Sequence, residues 1–356
     1  MEQFIGCDAH KKYSVFVAVN EHGVSGKAIR VDHCREDYRK FLNALPGKSV
    51  IALEAGGHYY WLVDEIQRVG HQAKLAKPLE AKKRMGHVGK KTDKADAEGL
   101  AILLRNGTLP TVWIPPAELR DQRELLRLRM FLVRQRTQWK NRIHGALARY
   151  NVALAAKDVF TQIGREELGG RLDDLPRHTR ASVESHLTTL DFLELQIQEV
   201  EKQLSAIMAP CSEADLLKTM PYVGRILSAV MALEIGAVDR FPGPAHLASY
   251  AGLVPRVHSS GGHTRLGQVC GNVNRYLKWA FVEAANVIVM HQQRLADSHA
   301  VGLYQRVKRK QNHAKAAVAV ARHLAEAAYW ILTKQQPYQE PRKAPRAAQC
   351  STSTHG

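Results

Sequence analysis

Cysteine is scarce and scattered in this chain of 356 residues: Cys7, Cys34, Cys211, Cys270 and Cys350, with no CxxC pair among them. An odd count at wide spacing argues against a disulfide framework and a tetrahedral zinc site, and implies reduced thiols. Long apolar runs are missing too. None reaches the roughly 18 consecutive residues that a membrane span needs before Arg, Lys or Glu interrupts it. The first residues enter a strand-like run directly, without the basic, apolar and small-residue segments of a secretion signal, so a cytoplasmic protein is expected. No Walker-type GxxxxGK[ST] loop occurs, which removes the usual ATP cradle. Acidic residues are in deficit, 34 Asp plus Glu against 51 Lys plus Arg, leaving a formal net charge of +17. A polyanion is the natural partner for such a balance.

What is present is ordinary globular material, 45% hydrophobic and 24% charged, in a chain long enough for at least two cores. Phe4 to Asp8, Tyr13 to Val19 and, past the Glu21-His22-Gly23 turn, Val24 to Val31 read as three strands. Arg35 to Leu45 reads as a short amphipathic helix, and Ser49 to Gly57 (SVIALEAGG) as a buried strand carrying Glu54 at its tip. A helix at 58–69, a strand at 71–77 and a helix from Asp93 to Arg105 complete an α/β domain with a mixed sheet, placed at 1–115. Pro115-Pro116 marks its end.

Residues 116–212 form a charged helical region. Leu190, Leu193, Ile197, Val200, Leu204 and Ile207 recur at alternating spacings of three and four, a coiled-coil seam. Leu125, Leu128, Leu132 and Trp139 repeat the pattern less cleanly, on a helix rich in arginine. Two such helices pair within one chain or between chains, and the pattern does not choose. The stretch 151–180 is weakly patterned and broken at Gly169-Gly170. Residues 213–335 are again mainly helical, punctuated by Gly and Pro, with long helices at 271–291 and 312–333. The Pro-rich and charged tail, 336–356, is expected to be disordered.

Four carboxylates stand out. Asp8 ends the first strand in FIGCDAHKK, and Glu54 ends a later one. Asp93 and Asp96 lie three apart in KKTDKADAEGLA, on one face of a helix. Converging carboxylates repel one another unless a cation offsets them, and Mg2+ with oxygen ligands supplies that charge. Two such ions roughly 4 Å apart suit phosphoryl transfer. Taken singly, each carboxylate is equally readable as a cap or a surface residue, the Thr92-Asp93 pair above all. In this order and context, however, the four resemble the DEDD pattern of the IS one-ten and IS eleven-eleven class of insertion-sequence transposases. The resemblance implies an N-terminal RNase H-like domain similar to the Holliday-junction resolvase RuvC. Beside the four lie Lys82, Lys83, Arg84, Lys90, Lys91 and Lys94, readable as a phosphate-neutralising patch or as a solvated charge run.

Further along, TMPYVGRILSAVMALEIG resembles a helix-hairpin-helix, whose second helix presents amides to phosphate, and is equally readable as a plain helical turn with Pro and Gly. FPGPAHLASYAGLVP, SSGGHTRLG and the late HAKAAVAVARHLAEAAYWIL helix extend the family resemblance over about 4–335. By composition Ser259-Ser260-Gly261-Gly262 is a loop. The family resemblance implies instead that a serine here attacks DNA and becomes linked to it. Ser260, directly before the glycine, is the candidate and Ser259 its rival, with His258, His263 and Arg265 flanking the pair.

The expected protein is therefore multidomain α/β plus α: an RNase H-like domain, a helical coiled-coil middle and a mainly α C-terminal domain. Its expected work is serine-dependent, Mg2+-assisted DNA recombination that moves an insertion sequence. The resemblance further implies DNA as substrate and a structured guide RNA (a bridge RNA) as partner, while the 3,4-spaced seam predicts a homo-oligomer, dimer or tetramer, through the helices near 120–150 and 181–209. A site-specific invertase of the same architecture, a metal-only junction nuclease and a non-enzymatic basic DNA-binding protein are the rival readings.

Overall fold

Strand β1 (Gln3–Ala9) buries Ile5 and Cys7 toward one face of a sheet, which leaves Gly6 and Asp8 to the other. The computed structural model describes residues 3–86, 92–260, 263–269 and 273–341, with backbone only at 256–260, 263–266 and 268–269. These divide into two compact units, Met1–Glu118 and Leu119–Gly356.

In the first unit β1 is followed by β2 (Tyr13–Asn20), β3 (Ile29–Asp32), α1 (Arg35–Asn43), β4 (Val50–Glu54), α2 (Tyr59–Arg68), β5 (Gln72–Ala76), α3 (Pro78–Met85), α4 (Asp93–Arg105) and β6 (Thr111–Val112). The strands pair in the order β3-β2-β1-β4-β5-β6. β1 is antiparallel to β2 and parallel to β4, and β4 is parallel to β5, so the sheet is mixed as expected. One face carries Ile5, Cys7, Phe16, Ile51 and Leu53 against Tyr38 and Leu42 of α1 and Leu62 and Ile66 of α2. The other carries small residues. Ala52 and Ala76 meet Leu100 and Leu103 of α4, and Val17 and Val19 meet Ala97 and Ala101.

Gly6 shows how closely α4 crosses the sheet: a Cβ there would lie 1.8 Å from the Ala97 carbonyl oxygen and 2.7 Å from the Ala101 nitrogen. Only glycine permits that approach. The expected strand over Val24 to Val31 shrinks to β3. Asn20 accepts the amides of His22 and Val24 at 3.0 and 2.9 Å, turning the chain, and Ser25 keeps a single bridge to Val19. Helix α3, with Pro78 opening it, was unforeseen in the basic run that it carries.

The second unit holds α5 (Ala117–Arg149, beginning just inside the first), α6 (Gln162–Arg171), α7 (Arg177–Met208), α8 (Ser212–Lys218), α9 (Arg225–Ile235), α10 (Pro244–Tyr250), β7 (Pro255–Ser260), β8 (His263–Val269), α11 (Arg275–Met290), α12 (His299–Lys308) and α13 (His313–Lys334). α5 and α7 run antiparallel, bridged by Arg129–Glu201 at 2.7 Å and Arg136–Glu194 at 2.9 Å. The 3,4-spaced stripe of α7, Leu190, Leu193, Ile197, Val200 and Leu204, is buried within this chain. Its upper part joins Ile143 and Leu147 of α5 and Leu168 of α6, and its lower part joins the main core of α8 to α13.

Three expectations change here. Gly169 and Gly170 do not break the chain: α6 runs through both, because the buried Leu168 docks it and neither glycine meets a neighbour. The serine segment is not a free loop, since β7 and β8 pair antiparallel with Ser260 opposite His263 and Ser259 opposite Thr264. The tail is seated at least to Tyr338, whose amide donates to Thr219 Oγ1 at 2.7 Å; 342–356 lie outside the described residues. Among the described residues no helix is long and apolar enough to cross a membrane.

Candidate metal centre

Two strand ends and a helix N-terminus assemble the site. The parallel register of β1 and β4 pairs Cys7 with Leu53, so Asp8 and Glu54 come next in line on adjacent strands. Alternation puts both on the face that α4 covers, since Ile5, Cys7, Ile51 and Leu53 take the opposite one. α4 then brings its own first turn. Thr92 caps it by accepting the Ala95 amide at 3.2 Å. Capping therefore falls to the threonine, and Asp93 is free to face the sheet.

His10 Nε2 sits 3.1 Å from Oδ2 of Asp8 and 3.1 Å from Oδ2 of Asp93. Tyr13 donates its hydroxyl to the same Asp93 oxygen at 3.0 Å. The Tyr13 phenol is pushed above its ordinary pKa, chiefly by that bond. Among the described residues, Asp8, His10 and Asp93 offer ligand atoms that all lie within 4.8 Å of one another. Asp8 is held above the usual carboxylate range. Burial is the main cause, His10 opposes it, and the like charges of Asp96 and Asp93 add to it. Asp8, Asp93 and Asp96 thus share one field, which a cation would relieve. The tight triad contains neither Asp96 nor Glu54, which stand on the adjoining helix turn and strand tip.

Sequence reasoning missed His10 and Tyr13. A histidine two residues past a strand-end aspartate was the available signal. The donor set of two carboxylates and an imidazole fits a divalent ion, since oxygen suits Mg2+ and Mn2+ and the ring nitrogen favours transition metals.

The other expected residues lie elsewhere. Lys82, Lys83 and Arg84 are exposed on the last turn of α3, where Arg84 donates to the Thr108 carbonyl. Lys94 is exposed on α4. Lys90 and Lys91 lie outside the described residues. Arg265, opposite His258, and the serine pair are placed by backbone alone. At the hairpin expected between α8 and α9, Tyr222 takes φ +57°, and Gly224 precedes α9.

Residues 5–152 match a DEDD-type family described as Transposase, and 214–300 match one described as Transposase IS116/IS110/IS902 family. A DEDD transposase domain implies an RNase H-like fold and suggests divalent-metal binding. A Pseudomonas aeruginosa protein named "Probable family 20 transposase" is 26% identical over 344 residues, 94% of this chain and 98% of its own. The transposase for insertion sequence element IS1111A of Coxiella burnetii is 24% identical, covering 94% of this chain and 91% of its own. That for IS1328 of Yersinia enterocolitica is 24% identical, covering 93% and 96%.

Proposed function

The chain belongs to the IS116/IS110/IS902 family of transposases, and we propose that this DNA transposase moves its insertion sequence through a serine nucleophile assisted by a metal at the carboxylate site. The observation that carries the metal half is the meeting of Asp8, His10 and Asp93 within 4.8 Å. Asp8 and Asp93 would hold a divalent ion, Mg2+ in our reading, with Glu54 and Asp96 completing the acidic set. When bound, such an ion polarises phosphate oxygens and stabilises the charge on a leaving oxygen.

The chain's own residues do the rest. Ser260 Oγ bonds to phosphorus as the bond from phosphorus to the leaving oxygen of the strand breaks, and the hydroxyl proton ends on that oxygen. The phosphodiester energy is kept in the serine–DNA bond, so rejoining by the reverse step needs no ATP. Lys82, Lys83 and Arg84, with Lys90, Lys91 and Arg265, neutralise phosphate. A helix-hairpin-helix at α8 and α9 would present the N-terminal amides of α9 to the DNA backbone. The domain division at 115, 212 and 335, a structured guide RNA and a homo-oligomer belong to the same reading; sedimentation of the free and nucleic-acid-bound protein tests the last.

The test separates the two halves. Ser260→Ala is expected to abolish covalent protein–DNA adducts and recombination while changing DNA affinity less than about twofold, because phosphate contacts by Lys and Arg dominate binding. Asp8→Asn or Asp93→Asn, or chelation of the metal, is expected to stop cleavage as well. Loss in Ser259→Ala with full activity in Ser260→Ala moves the nucleophile by one residue. Full cleavage by the double serine variant refutes the serine mechanism in favour of a metal-only nuclease, for which the acidic cluster formed within the first unit is the favouring observation.

A further inference from the structure

A cleft of about 540 Å3 lies between α5 and α11, within the second unit. Its walls combine positive charge with ring faces: Arg134 and Arg275 beside Phe131, Tyr276 and Trp279, and no carboxylate is found among the described residues that line it. Phe131 is 56% exposed and Trp279 38%, so both rings reach solvent in the same cleft. Arg134 and Arg275 are exposed and make no ion pair among the described residues.

The cleft is built. Glu234 of α9, fully buried, accepts from Arg127 of α5 at 2.9 and 3.1 Å and from Asn274, which caps α11, at 2.7 Å. The Arg127 guanidinium in turn lies 4.9 Å from the Tyr276 ring centroid. One buried carboxylate thereby fixes both walls and one of the rings.

We propose that this cleft binds a single-stranded segment of DNA, its bases stacked on Trp279 and Phe131 and its phosphates met by Arg134 and Arg275. Charge selects a polyanion and excludes an acid-free apolar occupant. The rings select single strands, because the faces of bases in a duplex are already covered by their neighbours, whereas an unpaired base offers its face to an aromatic side chain. The choice of DNA rests on the transposase reading, since strand cleavage and exchange expose unpaired DNA. The binding itself needs neither the serine nor a metal.

The test uses the full chain in EDTA, fluorescein-labelled dT20, a duplex of equal length and rU20, read by fluorescence anisotropy. Trp279→Ala is expected to weaken dT20 binding by about 5- to 150-fold, the range for loss of one stacked base, and duplex binding by less than about twofold. Trp279→Phe should restore most of the loss, and Trp330→Ala, an exposed tryptophan on α13, should cause none. Arg134→Gln with Arg275→Gln should lower the slope of log affinity against log salt by about 1.4, roughly 0.7 for each phosphate contact to a single strand. Wild-type affinity for dT20 in Trp279→Ala and Phe131→Ala together overturns the proposal, as does an equal loss on duplex. A loss confined to rU20 overturns the assignment to DNA. Ser260→Ala and Asp8→Asn are expected to bind dT20 like wild type, so a failure of the catalytic reading leaves this result standing.

Discussion

Replacing Glu234 by glutamine probes the most buried charge of the second unit. The side chain is 0% exposed, with Arg123 at 6% and Arg127 at 25%. Its two oxygens accept from Arg127 and Asn274, and Arg123 Nε stands 3.7 Å away. Glutamine keeps the volume but turns one acceptor into an NH2 group that faces donors, and it removes the buried negative charge that Arg123 and Arg127 share, Arg127 keeping Glu124 at 3.4 Å. Removing one partner of a buried ion pair costs about 3–5 kcal/mol. Two features lower that figure. Arg123 keeps its bonds to the carbonyls of Leu233 and Glu234 at 2.7 and 3.0 Å, and Arg127 reaches water, so the expected cost is about 2–4 kcal/mol. In a unit of this size each kcal/mol moves the midpoint by about 2–4 °C, giving a fall of roughly 4–16 °C. Scanning calorimetry of the full chain reads it in the transition of the second unit. Glu194→Gln, whose pair with Arg136 is half-exposed, should cost no more than about 1 kcal/mol. A Glu234→Gln midpoint within about 1 °C of wild type would show that the network is not what binds α5, α9 and α11, and the reasoning would fail.

Gly6→Ala is expected to destabilise the first unit by about 1–3 kcal/mol or more, because the added carbon meets the α4 backbone. It should also abolish cleavage with all four carboxylates intact; a variant with normal activity and melting refutes the close approach. Arg39, at 2.6 Å, and Arg68 hold the Glu65 carboxyl below its ordinary 4.5. A depressed pKa contributes stability that is present above the unfolded value and is lost as pH falls through the folded one. Glu65→Gln should therefore lower the first-unit midpoint at pH 7, with the gap to wild type closing below about pH 4.5; a gap that stays constant with pH contradicts the assignment. Burial pushes the Cys7 thiol up to about 12, so iodoacetamide at pH 8 should label the exposed Cys34 and spare Cys7 until the chain is unfolded. Peptide mass spectrometry showing equal labelling of both would count against the buried thiol.

Local pattern made much of this protein legible. The apolar strand runs of β1 and β4, the 3,4 spacing of α7 and the Thr92 cap of α4 are properties of short stretches, so Asp8, Glu54, Asp93 and Asp96 could be assigned to strand tips and one helix face from the sequence alone. The DEDD order and the serine segment pointed to the family for the same reason, since motif spacing is carried by the chain itself. Tertiary structure decided what depends on distant partners. Gly6 matters only because Ala97 and Ala101 pack on it; His10 joins Asp93 only because α4 crosses β1. Whether the α7 stripe met a second chain or its own was open in the pattern, and here it is buried against this chain's own helices because α5 folds back beside α7. The burial of Glu234, an ordinary acid within an apolar run, follows from two arginines more than a hundred residues earlier. Periodicity is set by backbone geometry one turn or one pleat at a time, whereas convergence is set by register and helix crossing, which no local stretch contains.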